Sequence, residues 1–317
     1  MPICTTCTTA VDFLYTVYET PNNLRLEQCK NCDAFADPYV EHDSLTLLID
    51  LILLKRGVYR HLLYNRQAEP RRSVSGATAD STTPQKATDK EKVVQGILEI
   101  LFEAPNGNPN SYHMRWLTIL RFGGPLICVD AFIRWSHLNP HQPSDISPWT
   151  KETMSAVWRT FVGVSIETIA FHVGVLFACY VVLGIADWVG SRPTISDIRR
   201  EFRLSLIPLT LFYSSLTKLF LLFLLTIWRP SSGSTALQSN SYVFYDDKID
   251  REWVVRNVLG GMSAGFGLRV VLDSHPVFTT IIIIAGWVAK TAVSQLVSRW
   301  VGGDEQMGEA WLAYSIP

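Results

Sequence analysis

Three long apolar stretches constrain the fold of this chain more than any other feature of its sequence. They occupy residues 158–190, 204–228 and 277–297, and each reaches the roughly 20 residues that a helix needs to cross a bilayer. Charged residues make up only 18% of the chain, whereas about 25% is typical of soluble domains. The sequence therefore predicts a multi-span α-helical membrane protein.

A fourth apolar stretch, residues 116–133, is a weaker candidate for a membrane span. It carries Arg121 and Asp130, and a Gly-Gly-Pro sequence predicts a break within it. Residues 247–272 are amphipathic and rich in glycine, and we expect them to be interfacial or re-entrant. These patterns predict a bundle of roughly three to five membrane helices.

The distribution of arginines predicts an orientation. The short segment 191–203 holds four arginines, and such an excess places a loop in the cytosol. If residues 116–133 cross the membrane, the N-terminus is predicted to be cytosolic as well. If they do not cross, the N-terminus is predicted to be luminal. A cytosolic position suits the N-terminal cysteines because thiols stay reduced there.

Four of the six cysteines lie near the N-terminus in two C-x-x-C pairs, Cys4 with Cys7 and Cys29 with Cys32. Each pair presents two thiolates on one side of a tight turn, and two pairs complete a four-thiolate shell that suits Zn²⁺. A redox dithiol and an iron centre are the alternatives. Because a four-thiolate shell leaves no position for substrate, the pattern favours a structural zinc site.

Residues 1–43 form the first predicted domain, a zinc ribbon. The stretches "AVDFLYTVYE" and "LRLEQC", separated by "PNN", predict a β-hairpin between the cysteine pairs. Seven acidic and two basic side chains lie in this domain. Phosphate binding needs the opposite sign of charge, so this domain is not expected to recognise nucleic acid.

Residues 44–66 predict one amphipathic helix, with Asp43 or Ser44 as its N-cap. Its apolar run is too short to span a bilayer, and its second half is basic. Such a helix can lie on an anionic membrane surface; the alternative is that it packs against the ribbon. Residues 67–92 predict a disordered linker, and residues 93–317 form the predicted membrane domain.

The candidate spans carry ionisable residues, among which Glu167, His172 and Lys218 are the candidates for function, because such residues are costly in lipid. Glu167 and His172 are separated by about 140° around a helix and do not form a tight dyad. Glu167 could instead pair with Lys218. Alternatively, these residues only form polar contacts between helices. A further hypothesis is that the protein is an enzyme that uses Glu167 or His172.

The segment "CKNCDAFADPYVEHDSLTLLIDLILLKRGVYRHLLYN" resembles the Arv family of endoplasmic-reticulum lipid-homeostasis proteins, and the fungal-type members in particular. The resemblance covers residues 1–66. It depends on the order of three features: the cysteine pairs, the acidic-aromatic turn "DPYVEHD" (residues 37–43) and the "YRH" sequence. Besides the four cysteines, it assigns the following residues to the family motif: Tyr39, Asp43, Tyr59, Arg60, His61 and Asn65.

The resemblance implies a multi-pass protein of the endoplasmic-reticulum membrane, with the Golgi as the alternative location. It implies a mediator of sterol distribution, sphingolipid metabolism and glycosylphosphatidylinositol (GPI)-anchor biosynthesis, whose partners are membrane lipids. Alternatively, the protein would be a scaffold that docks lipid or GPI-anchor biosynthetic enzymes through its ribbon. No catalytic residue is expected.

Overall fold

The computed structural model of the chain describes residues 1–18, 24–66, 68, 70–72, 112–138, 151–188, 203–227, 253–302 and 305–315. The chain divides into two compact units. The first comprises Met1–Phe122, Arg192–Thr210 and Gly267–Asp273. The second comprises Gly123–Ser191, Leu211–Phe266 and Ser274–Pro317.

The strands and helices are numbered in chain order. The strands are β1 (Tyr15–Val17), β2 (Leu24–Leu26) and β3 (Arg71–Arg72). The helices are α1 (Ser44–Ile52), α2 (Arg56–Arg60), α3 (Tyr112–Leu138), α4 (Lys151–Trp188), α5 (Leu206–Ile227), α6 (Gly260–Leu272), α7 (Pro276–Gly302) and α8 (Glu305–Ser315). A 3₁₀ helix covers Pro38–Glu41, and π-helices cover His61–Asn65 and Val254–Leu259.

A small sheet lies between the cysteine pairs, as the predicted hairpin requires. β1 and β2 pair antiparallel, with Tyr15 opposite Leu26. β3 pairs with the other edge of β1 in parallel, with Thr16 opposite Arg71. Two residues of the predicted linker 67–92 therefore belong to the sheet. Most of that segment, including residues 73–92, lies outside the described residues.

The prediction of one continuous helix over residues 44–66 is wrong. α1 ends at Ile52, and Leu54 then takes a φ of 56°, in the left-handed region. The ammonium of Lys55 is bound to the Asp50 carboxylate at 2.7 Å, and the Lys55 N–H donates to the Asp50 carbonyl. These contacts hold the chain in a sharp turn before α2 begins at Arg56.

Four described helices are long and apolar enough to cross a membrane, as predicted. The qualifying segments are Trp116–Ser136, Thr153–Ile185, Leu206–Leu225 and Pro276–Gly302. The weakest candidate from the sequence is part of a continuous helix, and Pro125 lies inside it without ending it. Length and composition therefore support the membrane-protein class.

In the second unit, α4 packs against α7 through small residues. A Cβ at Gly174 would lie 2.7 Å from that of Ala289, and a Cβ at Gly286 would lie 2.6 Å from Val175 Cγ2. Glycine at these positions lets the two backbones approach closely, as is common between membrane helices. Trp311 of α8 is fully buried in a cluster with Val164 and Val301.

Candidate functional site

The first unit brings the four N-terminal cysteines into one cluster. The Sγ atoms of Cys4 and Cys32 are 3.7 Å apart, and those of Cys7 and Cys29 are 3.5 Å apart. All four sulfurs lie within 4.8 Å of one another. A disulfide would need a separation of about 2.05 Å, so the cysteines are free thiols. The cluster could hold a metal ion.

The two C-x-x-C turns have the same backbone hydrogen bonds. Thr8 N–H donates to the Cys4 carbonyl at 3.0 Å, and Asp33 N–H donates to the Cys29 carbonyl at 2.9 Å. Thr8 and Asp33 have φ values of 68° and 56°, and each directly follows the second cysteine of its pair. The repeated left-handed turn explains how two short, separate stretches present their thiols to one point.

Burial and hydrogen bonding shift the pKa values of Cys4 and Cys7 in opposite directions. Burial is the largest influence on Cys7 and raises its pKa, but hydrogen bonds with Thr9 and Asn31 outweigh it and lower the pKa to about 6. Burial raises the pKa of Cys4 to about 12. Metal binding requires thiolates, and the hydrogen bonds at Cys7 favour its thiolate form.

A buried polar network joins the ribbon to the π-helix that follows α2. Asp37 Oδ2 accepts a hydrogen bond from Asn65 Nδ2 at 2.7 Å and lies 2.8 Å from His61 Nδ1. Asn65 also bonds the backbone of Ile3 twice, at 2.9 Å and 2.8 Å. Two motif residues predicted from the sequence, His61 and Asn65, therefore meet at Asp37, which the sequence analysis did not single out.

Arg60 connects the same helical segment to the first cysteine turn. Its Nη1 donates to the carbonyls of Thr5 at 2.7 Å and Thr6 at 3.0 Å, which lie between Cys4 and Cys7. The guanidinium is thus held close to the thiols. Its positive charge would offset part of the negative charge of a metal–thiolate cluster.

The remaining motif residues have packing and capping roles in the first unit. The Tyr39 ring covers Gly57, where a Cβ would lie only 2.7 Å from it. Tyr59 is fully buried and lies beside Gly267. Asp43 is exposed, begins α1 as its N-cap residue, and accepts a hydrogen bond from the Thr46 hydroxyl.

The second unit contains a polar cavity of about 130 Å³. All three intramembrane residues predicted from the sequence, Glu167, His172 and Lys218, line this cavity. Four further charged residues line it with them: Asp130, Arg134, Arg256 and Lys290. Four basic side chains therefore face two carboxylates in one apolar bundle.

The predicted pairing of Glu167 with Lys218 is wrong, because Glu167 is bound by Arg134. Arg134 Nη1 lies 2.7 Å from Glu167 Oε2, and Ser315 donates to Glu167 Oε1 at 2.8 Å. Arg134 lies one residue beyond the predicted span 116–133, so the sequence analysis missed it. Its position four residues after Asp130 could have identified it, because opposite charges at this spacing are neighbours on a helix.

His172 bonds its own helix rather than Glu167. Its Nδ1 lies 2.7 Å from the Thr168 carbonyl, which can only accept, so Nδ1 carries the proton. Its buried Nε2 has no hydrogen-bond partner within the described ranges. The ring packs on Phe212, with 4.6 Å between the ring centroids. The described geometry therefore contains no Glu–His dyad, in agreement with the spacing argument.

Comparison with known proteins identifies what this chain is similar to. A family model described as the Arv1-like family matches residues 3–245. "Protein arv1" of Schizosaccharomyces pombe is 52% identical over 63 residues, which cover 20% of this chain and 24% of that protein. "Protein ARV1" of Saccharomyces cerevisiae is 51% identical over 63 residues, 20% of this chain and 19% of that protein.

The human "Protein ARV1" is 38% identical over 64 residues, which cover 20% of this chain and 23% of that protein. The matched segments thus span about a quarter or less of these curated relatives. No solved structure matches the chain.

Proposed function

The chain belongs to the Arv1-like family, and from this premise we propose that it mediates lipid homeostasis in the endoplasmic-reticulum membrane. Its tasks would be sterol transport and distribution, together with support of sphingolipid metabolism and GPI-anchor biosynthesis. Membrane lipids would be its direct partners, and its ribbon would lie in the cytosol.

The polar cavity of the second unit is the observation that best supports this proposal. Charged side chains are expensive inside a bilayer and are retained where they pair or line a cavity that serves function. Here seven ionisable side chains line one cavity in a bundle of apolar helices. Such a cavity can receive the polar part of a lipid while its hydrocarbon stays among apolar side chains.

A reconstituted transfer assay tests the proposal. The purified full chain would be placed in phosphatidylcholine vesicles with a fluorescent sterol, and transfer to acceptor vesicles would be followed. We expect faster transfer than from protein-free vesicles. Equal rates with and without correctly folded protein would refute direct lipid transport.

We infer that the metal of the cysteine cluster is Zn²⁺, with a structural role. A tetrahedral shell with Zn–S bonds of about 2.3 Å has sulfurs about 3.8 Å apart, close to the 3.7 Å and 3.5 Å pairs of this cluster. Bound zinc would cross-link the two turns of a domain too small to rely on a large core. Cys4, Cys7, Cys29 and Cys32 would be its four ligands.

Metal analysis of two matched variants tests the zinc assignment. Cys29→Ser removes one ligand, so we expect loss of about one zinc per chain. Cys128→Ser is the control, because Cys128 is exposed on α3 and far along the chain from the cluster. Iron in the purified wild type, or full zinc retention in Cys29→Ser, would contradict the assignment.

A scaffold role is the second candidate function, supported by the surface of the ribbon. Glu41 and Asp43 are exposed, and Phe35 nearby in sequence is 51% exposed. Acidic side chains beside an exposed aromatic ring suit the docking of a basic surface on a partner protein.

Co-purification tests the scaffold role. Glu41→Lys combined with Asp43→Asn alters the charge, while asparagine keeps a residue suited to the helix N-cap. We expect a tagged GPI-anchor biosynthetic enzyme to be lost from the complex, with zinc content unchanged. Unchanged recovery of that enzyme would refute docking through this surface.

A further inference from the structure

The cavity of the second unit carries an excess of positive charge that its own carboxylates do not balance. Both carboxylates lie against one cation: Arg134 is 2.7 Å from Glu167 and 3.7 Å from Asp130. Lys218 and Lys290 also line the cavity. In the part of the chain that the structure describes, no ion pair or hydrogen bond engages the ammonium of either lysine.

An ammonium group without a direct ion pair is costly in an apolar bundle. The cavity walls include Phe171, Phe212 and Trp287, and α4, α5 and α7 are all apolar enough to span a membrane. In such surroundings a lysine either loses its proton or keeps its charge with a counter-charge or with water. An anion bound beside Lys218 of α5 and Lys290 of α7 would keep both ammonium groups charged.

The other polar groups of the cavity narrow the chemistry of that anion. His172 Nε2 is buried and unpartnered among the described residues, and with its proton on Nδ1 it can only accept a hydrogen bond. The hydroxyls of Ser214 and Ser215 already donate to carbonyls of their own helix. The cavity thus offers ammonium donors to an oxyanion and an acceptor to a hydroxyl beside it.

The cavity volume and walls favour an amphipathic molecule. Its volume of about 130 Å³ far exceeds the roughly 10–15 Å³ that one water requires, so a tetrahedral oxyanion fits. Aromatic and aliphatic side chains form the rest of the lining, including Leu126 and Leu219. A free ion would leave these walls without a partner, whereas a lipid would cover them.

We propose that this cavity binds the net-anionic phosphate of a lipid, with Lys218 and Lys290 as its ammonium donors and His172 as acceptor for a hydroxyl. The proposal deepens the proposed lipid-homeostasis function and rests on it. It specifies the class of lipid: one whose phosphate is not neutralised by a choline or similar cation.

Thermal stabilisation of the full chain in detergent tests the proposal with three additives. Phosphatidic acid and diacylglycerol share their hydrocarbon chains and differ by the phosphate, and inorganic phosphate lacks the chains. We expect phosphatidic acid alone to raise the melting temperature at micromolar concentration. Equal stabilisation by diacylglycerol, or by inorganic phosphate at the same concentration, would overturn lipid-phosphate binding.

Lysine variants test whether phosphatidic acid binds in the cavity. Lys218→Gln and Lys290→Gln, tested singly, should each weaken the apparent affinity for phosphatidic acid by about tenfold or more, because a charge-assisted contact is lost. Arg121→Gln is the control, since Arg121 is exposed and not among the lining residues. Native mass spectrometry would count bound lipid for any variant with altered thermal unfolding. Unchanged lipid binding in both variants would overturn the site.

The two proposals fail in different ways. A chain that binds phosphatidic acid through Lys218 and Lys290 but does not accelerate sterol transfer would refute direct transport and leave the phosphate site intact. Sterol transfer without any response to phosphatidic acid would overturn the phosphate site alone.

Discussion

Asp37 is the residue on which the polar contacts of the first unit converge. Its side chain is fully buried. It accepts from the Tyr39 N–H and from Asn65, and it lies within hydrogen-bond distance of His61. The motif residues around it therefore owe their arrangement to one carboxylate, which caps the 3₁₀ helix Pro38–Glu41.

Replacing Asp37 should destabilise the first unit. Asp37→Ala would leave the buried donors of His61 and Asn65 unsatisfied, at roughly 1–3 kcal/mol each. We expect a loss of about 3 kcal/mol in the free energy of unfolding, measured by denaturant titration with near-ultraviolet circular dichroism. Glu41→Ala, at an exposed acid, should change it by less than about 0.5 kcal/mol. Similar losses in both variants would contradict this role of Asp37.

The Arg134–Glu167 pair is the corresponding contact in the second unit. Both side chains are almost fully buried, and removal of one partner of such a pair typically costs about 3–5 kcal/mol. We expect Glu167→Leu to lower the melting temperature strongly, and Arg134→Leu with Glu167→Leu to recover part of the loss. A double variant no more stable than the single one would contradict a direct pair.

The same contacts bear on the enzyme hypothesis. The Glu167 carboxylate is occupied by Arg134 and Ser315, and this occupancy argues against Glu167 as a catalytic base.

At the scale of elements, glycines determine how closely α4 and α7 pack. A Cβ at Gly174 would lie 2.7 Å from the Ala289 Cβ and 3.2 Å from the Gly286 Cα. Neither neighbour can move without moving its backbone, so the helices themselves must separate. Gly184 lies on the same helix, and a Cβ there would meet no atom within 4 Å.

The two glycines therefore predict opposite effects of the same substitution. Gly174→Ala should destabilise the protein by about 1–3 kcal/mol through overpacking. Gly184→Ala should be neutral or stabilise it by up to about 1 kcal/mol, because alanine favours the helix. Thermal unfolding in one detergent measures both. Equal melting temperatures for the two variants would contradict the close α4–α7 contact.

At the scale of the whole molecule, helix directions determine how often the chain crosses the membrane. α4 and α7 run antiparallel, because Gly163 lies against Val301 and Gly174 against Ala289. α7 therefore begins on the side where α4 ends. If α5 also begins on that side and crosses to the opposite one, the chain must cross back before α7.

We infer that the returning segment is α6 with the π-helix before it. Thr210 lies against Gly267 and Lys218 against Gly260, so α6 runs antiparallel to α5. The helical residues 254–272 extend over roughly 28 Å, nearly the thickness of the hydrocarbon core. We infer that they form a fifth crossing rather than the interfacial or re-entrant segment expected from the sequence.

Five crossings predict that the two chain ends lie on opposite sides of the membrane. If the arginine-rich segment 191–203 is cytosolic, as its charge predicts, five crossings would put the N-terminus in the cytosol and the C-terminus in the lumen. We expect a glycosylation tag before residue 1 to stay unmodified and one after residue 317 to be glycosylated. Four crossings would leave both tags unmodified, and a glycosylated N-terminal tag would overturn the orientation.

The sequence by itself determined the class of the protein, the cysteine cluster and four apolar helices. These follow from residue types within short stretches: a thiol pair in a tight turn, or twenty apolar residues in a row. The sequence also identified Glu167, His172 and Lys218 as candidates, because charge in an apolar segment is visible without a fold.

Only the tertiary structure decided which of these groups meet. Arg134 pairs with Glu167 because two helix faces pack together, and no local pattern encodes that choice. The helical residues 254–272 carry Arg256 and Asn257, which line the cavity and lower the apparent hydropathy of their segment. The break at Leu54 likewise depends on the contact between Lys55 and Asp50. Composition is a property of one segment, whereas pairing, cavity and direction are properties of several segments packed together.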